Sequence, residues 1–272
     1  MNRTVLKAIT KKDIKDIFRS KTLLLTIILI PVIFSLIIPA GVVSTILYFD
    51  FELDTGTQKM LDKFLLKVGN EEILAFSLKE QLVYLFVNYM MVSLFLLIPV
   101  ITASTIAANS LVGEKERKTL ESLLFAPITV KELFISKILS SFIPAFSVSL
   151  ISFILSGIII NGLSYSTFKE LIFPSMNWIV LVLLLLPMVL ILTILLNVLI
   201  SSRVKTYQEA TNLGGIIVLP VLGILIGQVS GLFFLGLGLM VILSTIILII
   251  NLVLLRQIAK YNDRHLLFEK QI

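Results

Sequence analysis

The side chains best able to do chemistry in this sequence are its charges. Segment 113–137 holds five basic and four acidic residues. Its first part, Gly113-Glu-Lys-Glu-Arg-Lys118-Thr119, has the outline of a phosphate-binding loop. The second glycine of G-x-x-x-x-G-K-[ST] is missing, with Arg117 in its place, and the run follows an apolar stretch rather than a strand. This chain is therefore not expected to bind ATP. A near-neutral balance of many charges suits docking onto a protein better than onto phosphate. No nucleic-acid partner is expected.

Other chemistry is thinly supplied. There are no cysteines, so disulfides and thiolate sites are excluded. The single histidine, His265, can neither build a zinc cluster nor serve a Ser-His pair. No HExxH and no carboxylate pair lies in an apolar stretch, so no catalytic, metal or cofactor residues are assigned and the chain reads as a non-enzyme. Thr102, Thr105 and Asn109 share one helical face, and Asn197 lies near the end of another apolar run. These four are the candidates for lining a transport pathway. Polar side chains in membranes also join helices to one another.

Whatever these residues do, membrane helices must position them. The 272 residues are 57% hydrophobic and 15% charged, with a mean hydropathy of +1.04. Soluble domains have about 45–50% apolar and about 25% charged residues. The charges lie in blocks: none falls between Lys21 and Asp50 or between Glu209 and Arg256. About 20 apolar helical residues cross a bilayer. Six spans are predicted, over 22–48, 82–111, 138–163, 171–200, 213–228 and 232–255. The fifth is short. The uncharged hairpin Gly227-Gln-Val-Ser-Gly231 after it leaves open one full helix plus a re-entrant pair in place of spans five and six. Gly223, Gly227 and Gly231 are read as packing positions.

The net charge of +6 is a topology signal. Segments 1–21, 113–137, 201–212 and 256–272 hold 18 Lys/Arg, against 5 in the alternate loops. By the positive-inside rule both termini are cytoplasmic. The basic N-terminal stretch leads into a run too long for a signal-peptide core, so no cleavage is expected.

Segment 4–20 is predicted as an interfacial helix, with Leu6, Ile9, Ile14, Ile17 and Phe18 on one arc, interrupted by Asp13. In the outer loop 50–81, Met60, Leu61, Phe64, Leu65 and Val68 predict a small helical cap. Prolines at 31, 39, 99, 144, 187 and 220 sit inside five spans, where each can kink its helix.

Segment 113–137 itself divides into two helical patterns. Leu120, Leu123 and Leu124 form a stripe that Pro127 ends. Thr129 and Glu132 then form a capping box that leads into span three. The plainer alternative is a solvated loop.

No span interior carries a charge, so energy for any transport must come from outside the spans. At this point segment 113–137 resembles the coupling-helix region of type-2 ABC transporter permeases, with Lys118 and Ser136 replacing glycines usual there. Lys12-Asp-Ile-Lys-Asp-Ile-Phe-Arg19 followed by Pro31, and Ser201-Ser-Arg-Val-Lys-Thr-Tyr-Gln-Glu-Ala210, resemble two further parts of that family. The sodium-exporter branch is the nearest in appearance.

The resemblance implies one all-α permease domain over 1–272 in the cell membrane. It implies a second permease subunit, as homo- or heterodimer, and a separate ABC ATPase that binds the ATP. It places the ATPase contact at Glu114, Glu116, Arg117, Lys118, Leu120, Glu121, Leu124 and Pro127. A stand-alone channel or facilitator is the alternative.

Overall fold

The computed structural model describes residues 3–50, 52–69, 71–116, 129–201, 203–204 and 206–260. Every regular element among them is a helix. Six helices among the described residues are long and apolar enough to cross a membrane: Lys21–Tyr48, Leu78–Glu114, Glu132–Phe168, Met176–Ser201, Tyr207–Val229 and Leu237–Ile258. Spans five and six are thus each long enough to cross in full, and neither needs to be half of a re-entrant pair. The chain is an all-α membrane protein.

Span two is the centre. Within its most apolar stretch 83% of residues are buried by the rest of the chain, against 28% in span one and 17% in span six. A helix surrounded by protein needs no lipid-facing side, which is why its apolar residues run all round it. Beside it the rings of Phe95, Phe153, Phe173 and Trp178 pack edge-on and tilted, with centroids 4.7–6.0 Å apart.

Pro39 illustrates how the spans absorb their prolines. It has no N–H to offer the carbonyl of Ser35, four residues back. The chain widens there into a π turn, Ile33–Ile37. Ser156 of span three donates its hydroxyl to the orphaned Ser35 carbonyl at 3.1 Å. Pro187 likewise follows a π turn, Leu181–Leu185, and Pro220 follows the 3₁₀ turn Gly215–Val218.

The ends of the bundle differ in character. At the far end, away from the N-terminal helix, Thr55–Val68 and Glu71–Ala75 form the predicted cap. Met60, Leu61, Phe64 and Ile73 pack there against Leu82, Leu85 and Phe234. The cap also satisfies the hairpin between spans five and six. Lys63 donates to the Ser230 carbonyl at 3.0 Å, and Lys67 to those of Gly231 and Leu232 at 3.1 and 2.7 Å. Gly231 has φ +68°, a turn conformation that favours glycine. Of the other two glycines, Gly227 lies tight against Phe233, whereas Gly223 faces open space.

At the basic end the helix Arg3–Arg19 stops at Ser20, whose extended backbone and hydroxyl cap the start of span one. Its buried face is Ile9, Thr10, Asp13 and Ile17, while Phe18 is left 62% exposed. One edge of the predicted apolar arc meets protein and the other does not. Asp13, which breaks the arc in the sequence, lies on the protein edge.

Candidate functional site

The basic end holds a cluster of charges gathered from three elements. Asp13 comes from the N-terminal helix, Glu114 from the C-terminal end of span two and Lys137 from the second turn of span three. Lys137 Nζ lies 2.8 Å from Asp13 Oδ2 and 2.6 Å from Glu114 Oε2. The side chain of Lys137 is 1% exposed, that of Asp13 4% and that of Glu114 11%. Lys12, at the rim, pairs with Glu114 and lies 3.6 Å from Asp13. Ser110 and Ser140 each donate a hydroxyl to Asp13 Oδ2 at 3.2 Å. Two cations and two carboxylates make the group neutral, which is the condition for burying such charges.

Burial disfavours the charge on Lys12. The hydrogen bond and attraction of Glu114, reinforced by Asp13 and Asp16, outweigh that and hold its pKa above the ordinary lysine value. The geometry also moves the start of span three. The sequence boundary put Lys137 just outside span three. The helix starts earlier, behind the capping box in which Thr129 and Glu132 bond reciprocally at 3.1 and 3.2 Å. Lys137 is therefore a buried charge inside a continuous helix, neutralised by its partners.

Two of the predicted coupling residues lie among the described residues, and both engage this chain. Glu114 faces inward, into the ion cluster. Glu116 is exposed, and its carboxylate accepts the Tyr207 N–H at 3.2 Å, at the positive N-terminus of the helix Tyr207–Gly214. Arg117, Lys118, Leu120, Glu121, Leu124 and Pro127 lie outside the described residues.

The predicted pathway residues form hydrogen bonds within the bundle. Thr102 is fully buried, and its hydroxyl bonds back to the Ile98 carbonyl at 2.6 Å. Thr105 does the same to Ile101 at 2.9 Å. Asn197 links span four to span two, donating to Ser104 Oγ at 3.1 Å. Gly214 of span five comes so close to this pair that a Cβ there would lie 2.5 Å from Ser104 Oγ. Asn109 is half-buried and closes over Gly113.

Sequence reasoning missed a second polar layer, nearer the far end. Span two widens into a π turn at Phe86–Met90. Three consecutive carbonyls of that turn are taken by side chains from neighbouring spans. Trp178 Nε1 donates to Val87 at 3.0 Å, Asn177 Nδ2 to Asn88 at 3.0 Å, and Gln228 Nε2 to Tyr89 at 3.4 Å. Ser93 donates to Gln228 Oε1 at 2.6 Å. Isolated polar residues in long apolar runs were the available signal, but nothing in their spacing pairs them.

Among the described residues no group of three or more His, Cys, Asp or Glu could hold a metal ion. The arrangement binds charges to one another and helices to one another.

Residues 7–253 match a family model described as ABC-2 family transporter protein. No curated protein and no solved structure matches the chain.

Proposed function

This chain belongs to the ABC-2 transporter family, and from that premise we propose that it is the permease half of an ATP-driven exporter, close to the sodium-exporting branch. It works in the cell membrane with its basic end in the cytoplasm. A second permease subunit, identical or related, completes the pathway. A separate ABC ATPase holds the ATP and docks on segment 113–137.

The observation that supports this reading most is the buried ion cluster. It joins the N-terminal helix to spans two and three, on both sides of the proposed docking segment. A push on that segment would then be carried to the spans by a rigid base. In this scheme Glu114 holds the base together from within, and the contact with the ATPase falls to Arg117, Lys118, Leu120, Glu121, Leu124 and Pro127, with Glu116 beside them.

Co-expression with candidate ABC ATPases, followed by co-purification and ATP hydrolysis in liposomes, tests the proposal. Glu121→Lys is expected to weaken ATPase association or to uncouple hydrolysis from transport. Lys59→Glu, in the cap, is expected to leave both intact. Truncating one buried charge of an interfacial pair typically costs about 2–5 kcal/mol. Transport by this chain alone, without ATPase or ATP, would establish it instead as a channel or facilitator.

A further inference from the structure

On the outside of the bundle, spans two, four, five and six enclose a groove of about 660 Å³. That is within the roughly 300–1,000 Å³ of small-molecule sites. Val100, Leu196, Ile216 and Ile247 give one wall residue from each span, and the remaining lining is almost wholly apolar. Ile216 is 57% exposed, so the groove opens sideways, towards the surface that faces the bilayer.

Two lining groups are polar, and neither has a side-chain partner among the described residues. Thr193 is 1% exposed, yet its hydroxyl has no hydrogen-bond partner. Arg203 stands exposed at the basic end of the groove, and among the described residues no carboxylate pairs with it. An unpaired guanidinium at the mouth of an apolar channel calls for an anion joined to an apolar body. Arginine can also reach back along the groove on its apolar stem. The buried hydroxyl calls for an acceptor part-way along. An ester-linked lipid with an anionic head supplies all three.

We propose that this groove is a binding site for an anionic phospholipid. The phosphate lies against Arg203, an ester carbonyl accepts from Thr193, and one acyl chain runs between spans two, four, five and six. The site is independent of the ATPase, because every residue that builds it belongs to the bundle of this chain.

The absence of cysteine makes a direct test simple. Ile216→Cys, labelled with a fluorophore, reports occupancy through quenching by brominated lipid in vesicles. Brominated phosphatidylglycerol is compared with brominated phosphatidylcholine. Phosphatidylglycerol is expected to quench at a mole fraction roughly fivefold lower, the size of one cation's attraction for anionic lipid. Arg203→Gln should abolish the preference, and Lys169→Gln, at the far end, should preserve it. A label at Ile28→Cys, exposed on span one and outside the groove, should show no preference. Equal quenching by the two lipids, or a preference that survives Arg203→Gln, would overturn the assignment. Failure of either lipid to quench would show that protein, such as a second copy, covers the groove, and would overturn it too.

Discussion

Lys137 shows what one residue can carry here. Its ammonium sits between Asp13 and Glu114, which lie 124 and 23 positions away in the chain. Removing one member of a buried ion group leaves its partners charged and uncompensated, typically at about 3–5 kcal/mol. Lys137→Met is therefore expected to lower the unfolding temperature sharply in detergent, and to free the N-terminal helix for limited proteolysis. Replacing Asp13, Glu114 and Lys137 together by apolar residues of similar volume should recover most of that stability. If the single and triple variants melt alike, the charges are not coupled as the geometry requires.

Lys12, at the rim, allows a sign to be worked out. Its pKa is raised, so its contribution is fully present below the ordinary lysine value and is lost only as pH rises past its own higher value. The difference in melting temperature between wild type and Lys12→Met should stay constant from about pH 6 to about pH 9. A difference that fades within that window would mean another group titrates in the cluster.

The helices raise a different problem, because three of them carry π turns inside the membrane-spanning region. A widened turn disturbs the backbone ladder, and lipid cannot hydrogen-bond the carbonyls it leaves. The turn of span two depends on Trp178, Asn177 and Gln228, and the turn before Pro39 on Ser156. Gln228→Leu strips the Tyr89 carbonyl and the Ser93 hydroxyl of their partner at once. It should destabilise the protein by about 1–2 kcal/mol, since two bonds are lost and each such bond between membrane helices contributes roughly 0.6 kcal/mol or more. Thr245→Val is the matched control. That hydroxyl is exposed and bonds only to its own helix, at the Val241 carbonyl. Thermal unfolding of the two variants side by side decides the matter. Equal losses would mean that the π turn keeps its geometry without help.

The whole molecule is ordered by its charge asymmetry and by where its apolar surface remains open. The 18-to-5 distribution of Lys and Arg predicts that the cap lies outside the cell and segment 113–137 inside. Leu66→Cys, at an 86% exposed position on the cap, should react with an impermeant thiol reagent on intact cells. Ser122→Cys should react only after the membrane is opened. Labelling of Ser122→Cys in intact cells would reverse the orientation. The lightly buried spans one, five and six leave broad apolar faces open on this chain.

Much of this protein could be read without coordinates. The six spans, the helical cap, the N-terminal helix and the capping box at Thr129 all follow from local patterns. Hydropathy over about 20 residues and the chemistry of one helical turn suffice for each. Span ends moved by several residues, since a helix can outlast its apolar stretch when capped or paired. Span four begins at Met176 rather than 171, and span two reaches Glu114.

What only the tertiary structure decided was the company each polar residue keeps. In the sequence Asp13 was a flaw in an amphipathic arc and Lys137 a loop cation. Folded, they are partners. Asn197 became a bridge to Ser104, and Arg203 the rim of a groove made by four spans. Periodicity reports which side of a helix is apolar. It does not report which helix lies opposite, because contacts between residues about a hundred positions apart depend on how whole spans pack.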